Sequence, residues 1–131
     1  MSFKPIIIIA GEPNSIFSEI FLKSLKLKNY LSPIILISSH KLLTLQMRSL
    51  KLQKKIKLLD PKKIDINKLD NNFINLINIE YNAINAFEKI TNKSNNYLKN
   101  SFDMAFQLIK KGVSNKLING PISKKHFLDK K

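Results

Sequence analysis

Residues 4–11 read KPIIIIAG, in which four consecutive isoleucines lead into an alanine and a glycine. Every position from 6 to 10 is apolar, so the run lacks the apolar–polar alternation of a strand with one solvated face. A short β-branched run of this kind predicts a strand that is buried on both faces. Gly11 closes the strand, because glycine lets the backbone turn sharply.

A helix and a second buried strand follow this first strand. In residues 15–28 the apolar positions approximate one helical stripe, which predicts a helix. Residues 33–37 form another apolar run, and Ser38 and Ser39 are candidate N-caps for a helix over 40–52. Strands that alternate with helices predict an α/β fold with a mostly parallel sheet and flanking helices.

The rest of the chain continues the alternation less regularly, with no internal repeat and no linker that would divide it. In the clearest helix of this part, five apolar residues share one face: Leu98, Phe102, Ala105, Phe106 and Ile109. In chain order we expect strands at 55–59 and 73–79, helices at 81–90 and 97–111, a strand at 116–118, and the start of a helix at 123–128.

The charge of the chain is strongly positive, with 23 lysines and arginines against 9 acidic residues and a formal net charge of +14. Such a balance favours an anionic partner such as nucleic acid. However, Arg48 is the only arginine, and the densest lysine cluster, within 54–63, contains no aromatic residue. Base readout favours arginine, and single-strand binding uses aromatic platforms. We therefore expect no nucleic-acid partner and keep a basic nucleic-acid-binding module as an alternative.

Cysteine is absent, which excludes disulfides and thiolate metal sites and fits a reducing compartment. The apolar run 6–10 is too short to span a bilayer and lacks the cleavage pattern of a signal peptide. From these two features we expect a soluble, cytoplasmic protein with no membrane partner.

Two segments are candidates for ligand binding. The first, GEPNSIFSE at 11–19, follows a strand and opens a helix, where backbone N–H groups attract anions. It has one glycine where a dinucleotide fingerprint needs three, and an ordinary strand-to-helix turn has the same local pattern. The second, LINGPISK at 117–124, ends a strand with Gly-Pro and places Lys124 where its ammonium can meet a phosphate or carboxylate. A rigid turn with a surface lysine is the alternative.

Together, the two segments resemble the 4-hydroxythreonine-4-phosphate dehydrogenase family. Its members open with an apolar strand followed by Gly-Asp/Glu-Pro-x-Gly-Ile-Gly-Pro-Glu and later carry Gly-Pro-Ile-Asn-Lys. The matching residues are Gly11, Glu12, Pro13, Ile16 and Glu19 in the first segment and Gly120, Pro121, Ile122 and Lys124 in the second. The first segment departs from the pattern at Ser15 and Phe17, which replace glycines, and at Ser18, which replaces proline; in the second, Ser123 replaces asparagine.

The resemblance implies the first part of a two-lobed fold like that of isocitrate and isopropylmalate dehydrogenases. It implies an enzyme of pyridoxal phosphate biosynthesis that oxidises and decarboxylates 4-phosphooxy-L-threonine, using NAD and a divalent metal ion (Zn, Mg or Co). It also implies a small phosphorylated substrate and a homodimer for the full-length enzyme.

The resemblance covers well under half of a family member. The family's Gly-His-Thr-Glu segment, its three metal-binding histidines and its NAD-binding segments lie beyond Lys131, and neither His40 nor His126 matches a ligand position. We therefore expect residues 1–131 to form a single incomplete α/β domain, the N-terminal portion of a longer enzyme, with no activity by itself.

Within the chain, the resemblance implies a supporting site and no catalytic or metal-binding residue. Gly120 and Pro121 would shape the floor of a substrate cleft, Lys124 would add positive charge, and residues 11–13 would line the entrance. A fragment of a phosphate acyltransferase-like enzyme of related fold is an alternative, since those enzymes also hold phosphorylated substrates with strand-end loops. A non-catalytic remnant or split-gene product is another.

Overall fold

The computed structural model describes residues 4–89 and 91–123, and its centre is a five-stranded parallel sheet. The strand order is β3-β4-β2-β1-β5, and every pair of neighbours runs parallel. The predicted fold class is confirmed. The strands are β1 (Ile6–Ile9), β2 (Ile34–Ser38), β3 (Ile56–Leu58), β4 (Ile74–Asn78) and β5 (Lys116–Asn119).

Three α-helices cover the sheet in the described part of the chain: α1 (Phe17–Leu27), α2 (His40–Leu50) and α3 (Asn95–Lys110). Two short 3₁₀ turns, Ile66–Lys68 and Asn92–Ser94, interrupt the loops. None of the described helices has the length and apolar character needed to cross a bilayer. The helix expected over 123–128 lies outside the described residues.

The core has two layers, one on each face of the sheet. On one face Ile7, Ile9, Ile35 and Ile37 are fully buried and pack in one apolar cluster with side chains of α3. On the other face the even-numbered residues of β2 and β4 pack with α1 and α2. The predicted two-sided burial holds for all of β2. In β1, however, Ile6 and Ile8 are only partly buried, because that part of the second face is incompletely covered.

The helix expected over 81–90 is wrong, because residues 81–89 contain no helix. Tyr81 and Ala83, which lie two positions apart, are buried in the core, whereas Ile84 is 73% exposed. A spacing of two suits an extended segment and cannot put both side chains on one helical face. The segment therefore crosses the end of the sheet as a bent loop.

The buried face of α3 also differs from the predicted one. Leu98 and Ala105 are buried as expected, but Phe106 is 56% exposed, whereas Leu108 and Ser101 are buried. The buried face of the helix is therefore rotated relative to the predicted stripe, and Ser101 and Leu108 lie on it in place of Phe106. Polar Tyr97 enters the core on this face, and the candidate site depends on it.

The strand order reverses between β1 and β5, since the chain passes from β1 to β2, β3 and β4 on one side and returns to β5 on the other. In open parallel sheets, ligands bind beyond the carboxyl ends of the strands at such a reversal. Gly11 follows the end of β1, and Gly120 follows the end of β5. The fold thus brings the two sequence motifs to one edge of the sheet.

Candidate functional site

The ends of β1 and β5 are joined by backbone contacts, which we call the β1–β5 seam (residues 9–12 with 120–121). The Gly120 amide donates to the Ile9 carbonyl at 2.7 Å, and the Glu12 amide donates to the Pro121 carbonyl at 2.6 Å. The two hydrogen bonds extend the pairing of the strands past their ends. The second motif is therefore held directly against the first.

Both glycines of the seam are required by its close packing. A Cβ on Gly11 would lie 2.5 Å from the Pro121 carbonyl oxygen, and Gly11 also has a φ of +80°, which disfavours other residues. A Cβ on Gly120 would overlap the Ala10 carbonyl oxygen and lie 2.8 Å from Phe17 Cδ1. Other atoms of the chain already occupy the space where each Cβ would lie. The two glycines therefore do not leave room for a ligand.

Glu12 points into the protein. It is 3% exposed, and its Oε1 accepts a hydrogen bond from Ser94 Oγ at 2.9 Å. Ser94 is itself buried and lies immediately before α3. The carboxylate therefore ties the loop after β1 to the beginning of α3, on the far side of the sheet from α1.

Gln46 holds the same loop from α2. Its Nε2 donates to the Pro13 carbonyl at 2.8 Å and to the Ala86 carbonyl at 3.0 Å. Beside it, Asn14 Oδ1 accepts from the Glu88 amide at 2.9 Å. These bonds clamp the loop after β1 beneath the bent segment 81–89, which accounts for the burial of residues 11–13.

Tyr97 organises the end of β2 through its hydroxyl. The Ser39 amide donates to Tyr97 Oη at 3.1 Å, and Tyr97 Oη donates to Ser38 Oγ at 3.3 Å. Burial raises the pKa of Tyr97 above its ordinary value of 10.0, so the hydroxyl keeps its proton and remains a donor. Ser39 Oγ accepts from the Leu42 amide at 3.1 Å, which confirms Ser39 as the N-cap of α2. Ser38 is instead the last residue of β2.

A second tyrosine lies nearer the surface. The rings of Tyr81 and Tyr97 are 5.1 Å apart, and Lys93 Nζ lies 5.7 Å from the centre of the Tyr81 ring. Burial raises the pKa of Tyr81, a hydrogen bond with Asn14 lowers it, and the nearby Glu88 and Glu12 carboxylates raise it again. The net shift is upward, so Tyr81 is a neutral hydroxyl at physiological pH.

A cavity of about 10 Å³ lies inside this polar network, with Glu12, Ser18, Ser38, Gln46 and Tyr97 among its lining residues. That is room for about one water molecule and far too little for a phosphorylated metabolite. The surface outside the network is more open: Asn119 and Pro121 are exposed there, and Asn14 and Ser15 are partly exposed.

The described residues do not fit a divalent metal ion, because they contain no group of three or more histidine, cysteine, aspartate or glutamate side chains. His40 is the first residue of α2 and belongs to no such group among the described residues. They do not supply a phosphate cradle for a dinucleotide either, because the Pro121 carbonyl occupies the space next to Gly11. Lys124, the predicted cation, lies outside the described residues.

Sequence reasoning missed the residues that position the loop: Gln46, Ser94 and Tyr97. One local signal was present for the first of them. Gln46 interrupts an apolar stripe formed by Leu42, Leu43 and Met47, and a polar residue in such a stripe indicates a buried partner. For Ser94 and Tyr97 no local signal exists, since their partners lie more than 50 residues away.

Solved structures of 4-hydroxythreonine-4-phosphate dehydrogenases are similar to this chain. The enzyme from Burkholderia phymatum has a TM-score of 0.78 at 15% identity, over 98% of this chain and 39% of its own. The enzyme from Klebsiella pneumoniae has a TM-score of 0.74 at 17% identity, over 96% of this chain and 39% of its own. This chain shares their fold.

The resemblance found in the two sequence segments is thus confirmed at the level of the fold. The chain spans about 39% of the length of these dehydrogenases. No protein-family model matches the sequence, and no curated protein matches it. The similarity is therefore carried by the architecture and by the few residues of the two segments.

Proposed function

We propose that this chain forms one wall of the substrate cleft of a 4-hydroxythreonine-4-phosphate dehydrogenase. That enzyme carries out the NAD-dependent oxidation and decarboxylation of 4-phosphooxy-L-threonine. One observation carries the proposal: the two segments that match the family's motifs meet in direct backbone contact at the carboxyl ends of β1 and β5. This is where parallel α/β sheets bind their ligands, and a chance match of two distant segments would not require them to meet there.

The six candidate residues fall into two groups, one that supports the wall and one that forms its surface. Gly11, Glu12 and Pro13 are buried and act as support, because the β1–β5 seam and the bonds from Ser94 and Gln46 fix the loop. Gly120 and Pro121 form the surface of the wall, where Pro121 is exposed. Lys124 follows them and contributes an ammonium group for the substrate phosphate, the role of a compact point charge.

The proposal assigns the hydride chemistry and the metal site to the part of the family fold that this chain does not span. NAD and a divalent ion would be held there, together with the groups that carry out the oxidation. A homodimeric assembly and a cytoplasmic location belong to the same proposal. The contribution of this chain is to position the substrate at a rigid edge.

Binding of the phosphorylated substrate tests the role of the wall. In ¹⁵N NMR spectra of the chain, addition of 4-phosphooxy-L-threonine is expected to shift amides in 11–15 and 119–124, whereas L-threonine, which lacks the phosphate, shifts them little. Lys124→Gln should weaken the effect. Lys110→Gln, at the end of α3 and far from this edge, is the matched control. No shifts at millimolar ligand, or equal losses in the two variants, would contradict the proposal.

An activity assay of the chain alone tests whether the hydride and metal chemistry depends on the part of the family fold that this chain does not span. With NAD, 4-phosphooxy-L-threonine and Mg²⁺ or Zn²⁺, we expect no formation of NADH, because the described residues contain no metal-binding group. Metal-dependent NADH formation by the purified chain would show that the chemistry does not depend on the rest of the family fold.

A further inference from the structure

Ser18 carries a buried hydroxyl group at the small polar cavity beyond the ends of β1 and β2. It lies in the first turn of α1, is 4% exposed and lines the cavity. Its Oγ has no hydrogen-bond partner among the described residues. Burial removes a hydroxyl from solvent, which destabilises the fold unless another polar group replaces the lost bonds. The cavity is the space from which such a group can reach Ser18.

The size and the lining of the cavity determine what it can hold. Its volume of about 10 Å³ is close to the smallest that accommodates a single water molecule. Cavities lined only by aliphatic side chains stay dry, whereas a buried water needs about two to four polar partners. More than half of the residues that line this cavity are polar. Its chemistry therefore suits one water molecule.

Ser38, at the end of β2, is a second partner for such a molecule. It is 4% exposed and lines the same cavity. Its Oγ accepts a hydrogen bond from Tyr97 Oη at 3.3 Å. A hydroxyl group has one proton and two lone pairs, so Ser38 retains bonding capacity after it has accepted that bond. The Glu12 carboxylate, which also lines the cavity, is an acceptor for a water proton.

We propose that this cavity is a binding site for one water molecule, which bridges Ser18 of α1 to Ser38 of β2 and to the Glu12 carboxylate. In a space of this size, one molecule touches all the groups that line it. The water fastens the first turn of α1 to the polar network that holds the loop after β1. The site rests on the cavity and its hydroxyl groups and is independent of the proposed function.

The hydroxyl of Ser18 belongs to this chain and not to the family's sequence pattern. Ser18 stands where that pattern has proline, whose side chain can neither donate nor accept a hydrogen bond. The water site therefore gives a role to one of the departures from the pattern.

A sodium ion is the alternative occupant, because the Glu12 carboxylate is an anionic oxygen ligand. Water is favoured for two reasons. It can donate to the carboxylate and also accept from a serine hydroxyl, whereas a cation can bind only acceptors. The chain also carries a net charge of +14, which opposes the uptake of a further positive charge.

Magnetic relaxation dispersion of ¹⁷O in water tests the site, because it detects long-lived buried water and is insensitive to the exchange of hydroxyl protons. Ser18→Val removes the hydroxyl and places a methyl group in the cavity. The dispersion amplitude should therefore fall by the contribution of one water molecule. Ser49→Val, at an exposed position of α2, is the matched control and should keep the native amplitude.

A crystal structure of the native chain that shows ordered water gives a second measurement, in which a water is expected within hydrogen-bond distance of Ser18 Oγ. The proposal is overturned by the absence of long-lived water in the native chain, by a crystal structure without water at Ser18, or by equal amplitudes in the two variants. If far-UV circular dichroism shows that Ser18→Val does not fold, the two native measurements decide. Higher thermal stability in sodium chloride than in choline chloride at equal ionic strength would assign the site to sodium and overturn the water.

Discussion

The carboxyl edge of the sheet is held together in two different ways. At the β1–β5 seam, backbone meets backbone, and the two glycines leave no room for a Cβ atom. At the end of β2, side chains make the connection: Tyr97 bonds to Ser38 and Ser39, and Gln46 reaches across to the loop after β1. We call this second region the β2 network (Ser38, Ser39, Gln46 and Tyr97).

The difference shows how each region depends on its sequence. The β1–β5 seam requires the absence of a side chain, so almost any substitution at its glycines causes a steric overlap with backbone atoms that cannot move away. The β2 network requires particular donors and acceptors, so a substitution at Gln46 or Tyr97 removes two hydrogen bonds and the fold survives. We therefore expect substitutions in the seam to have the larger effects.

The largest effect is expected for Gly120→Ala. The new Cβ would overlap the Ala10 carbonyl, so β1 and β5 must separate, and the free energy of unfolding should fall by about 3 kcal/mol or more. Gly112→Ala is the control, because Gly112 has a φ of +81° but a Cβ at this position would have no atom within 4 Å. Gly112→Ala should lower the free energy of unfolding by only about 1–2 kcal/mol, which is the cost of placing a residue with a Cβ in the left-handed conformation. Urea denaturation measures both, and equal losses would remove the steric account of the seam.

Gln46→Leu should have an intermediate effect. It keeps the side chain's size but leaves the Pro13 and Ala86 carbonyls without their donor, which costs about 2 kcal/mol. The clamp over the loop should loosen, so the Glu88 amide, which donates to Asn14, should exchange its hydrogen faster. Gln107→Leu on the exposed face of α3 is the matched control and should change stability by less than about 0.5 kcal/mol. Unchanged exchange at Glu88 would show that Gln46 does not clamp the loop.

Tyr97→Phe should have the smallest effect at neutral pH. It removes the bonds to Ser38 and Ser39 but keeps the buried ring, so we expect a loss of about 1 kcal/mol in thermal or urea unfolding. The exposed Tyr30→Phe serves as the control and should be nearly neutral. A loss for Tyr97→Phe as large as that for Gly120→Ala would contradict the ranking of the two regions.

The same variant predicts a pH dependence. Because burial raises the pKa of Tyr97 in the folded state, its contribution to stability is fully present below pH 10.0 and is lost as the pH rises through the folded-state pKa. Tyr97→Phe lacks this loss. The difference in unfolding free energy between the native chain and the variant should therefore narrow above pH 10.0, whereas a constant difference would show that Tyr97 ionises as it does in the unfolded chain.

The local sequence pattern was sufficient to predict the elements that are buried uniformly along their length. The apolar run at 33–37 predicted β2 within one residue, because a strand covered on both faces needs no polar position. It was insufficient for 81–89, where the same residues suit a helix or an extended loop. There the choice was made by the core, which accepts Tyr81 and Ala83 and leaves Ile84 in solvent.

By itself, the sequence determined the alternation of strands and helices, the parallel α/β class and the two segments that resemble the dehydrogenase family. Only the tertiary structure decided that Gly11 and Gly120 contact each other, that Glu12 points inward to Ser94, and that one face of β1 stays open. The physical reason is the separation along the sequence of the residues that make these contacts. Periodicity records which side of an element is buried, whereas contacts between residues more than 80 positions apart depend on the order of the strands, which no local pattern contains.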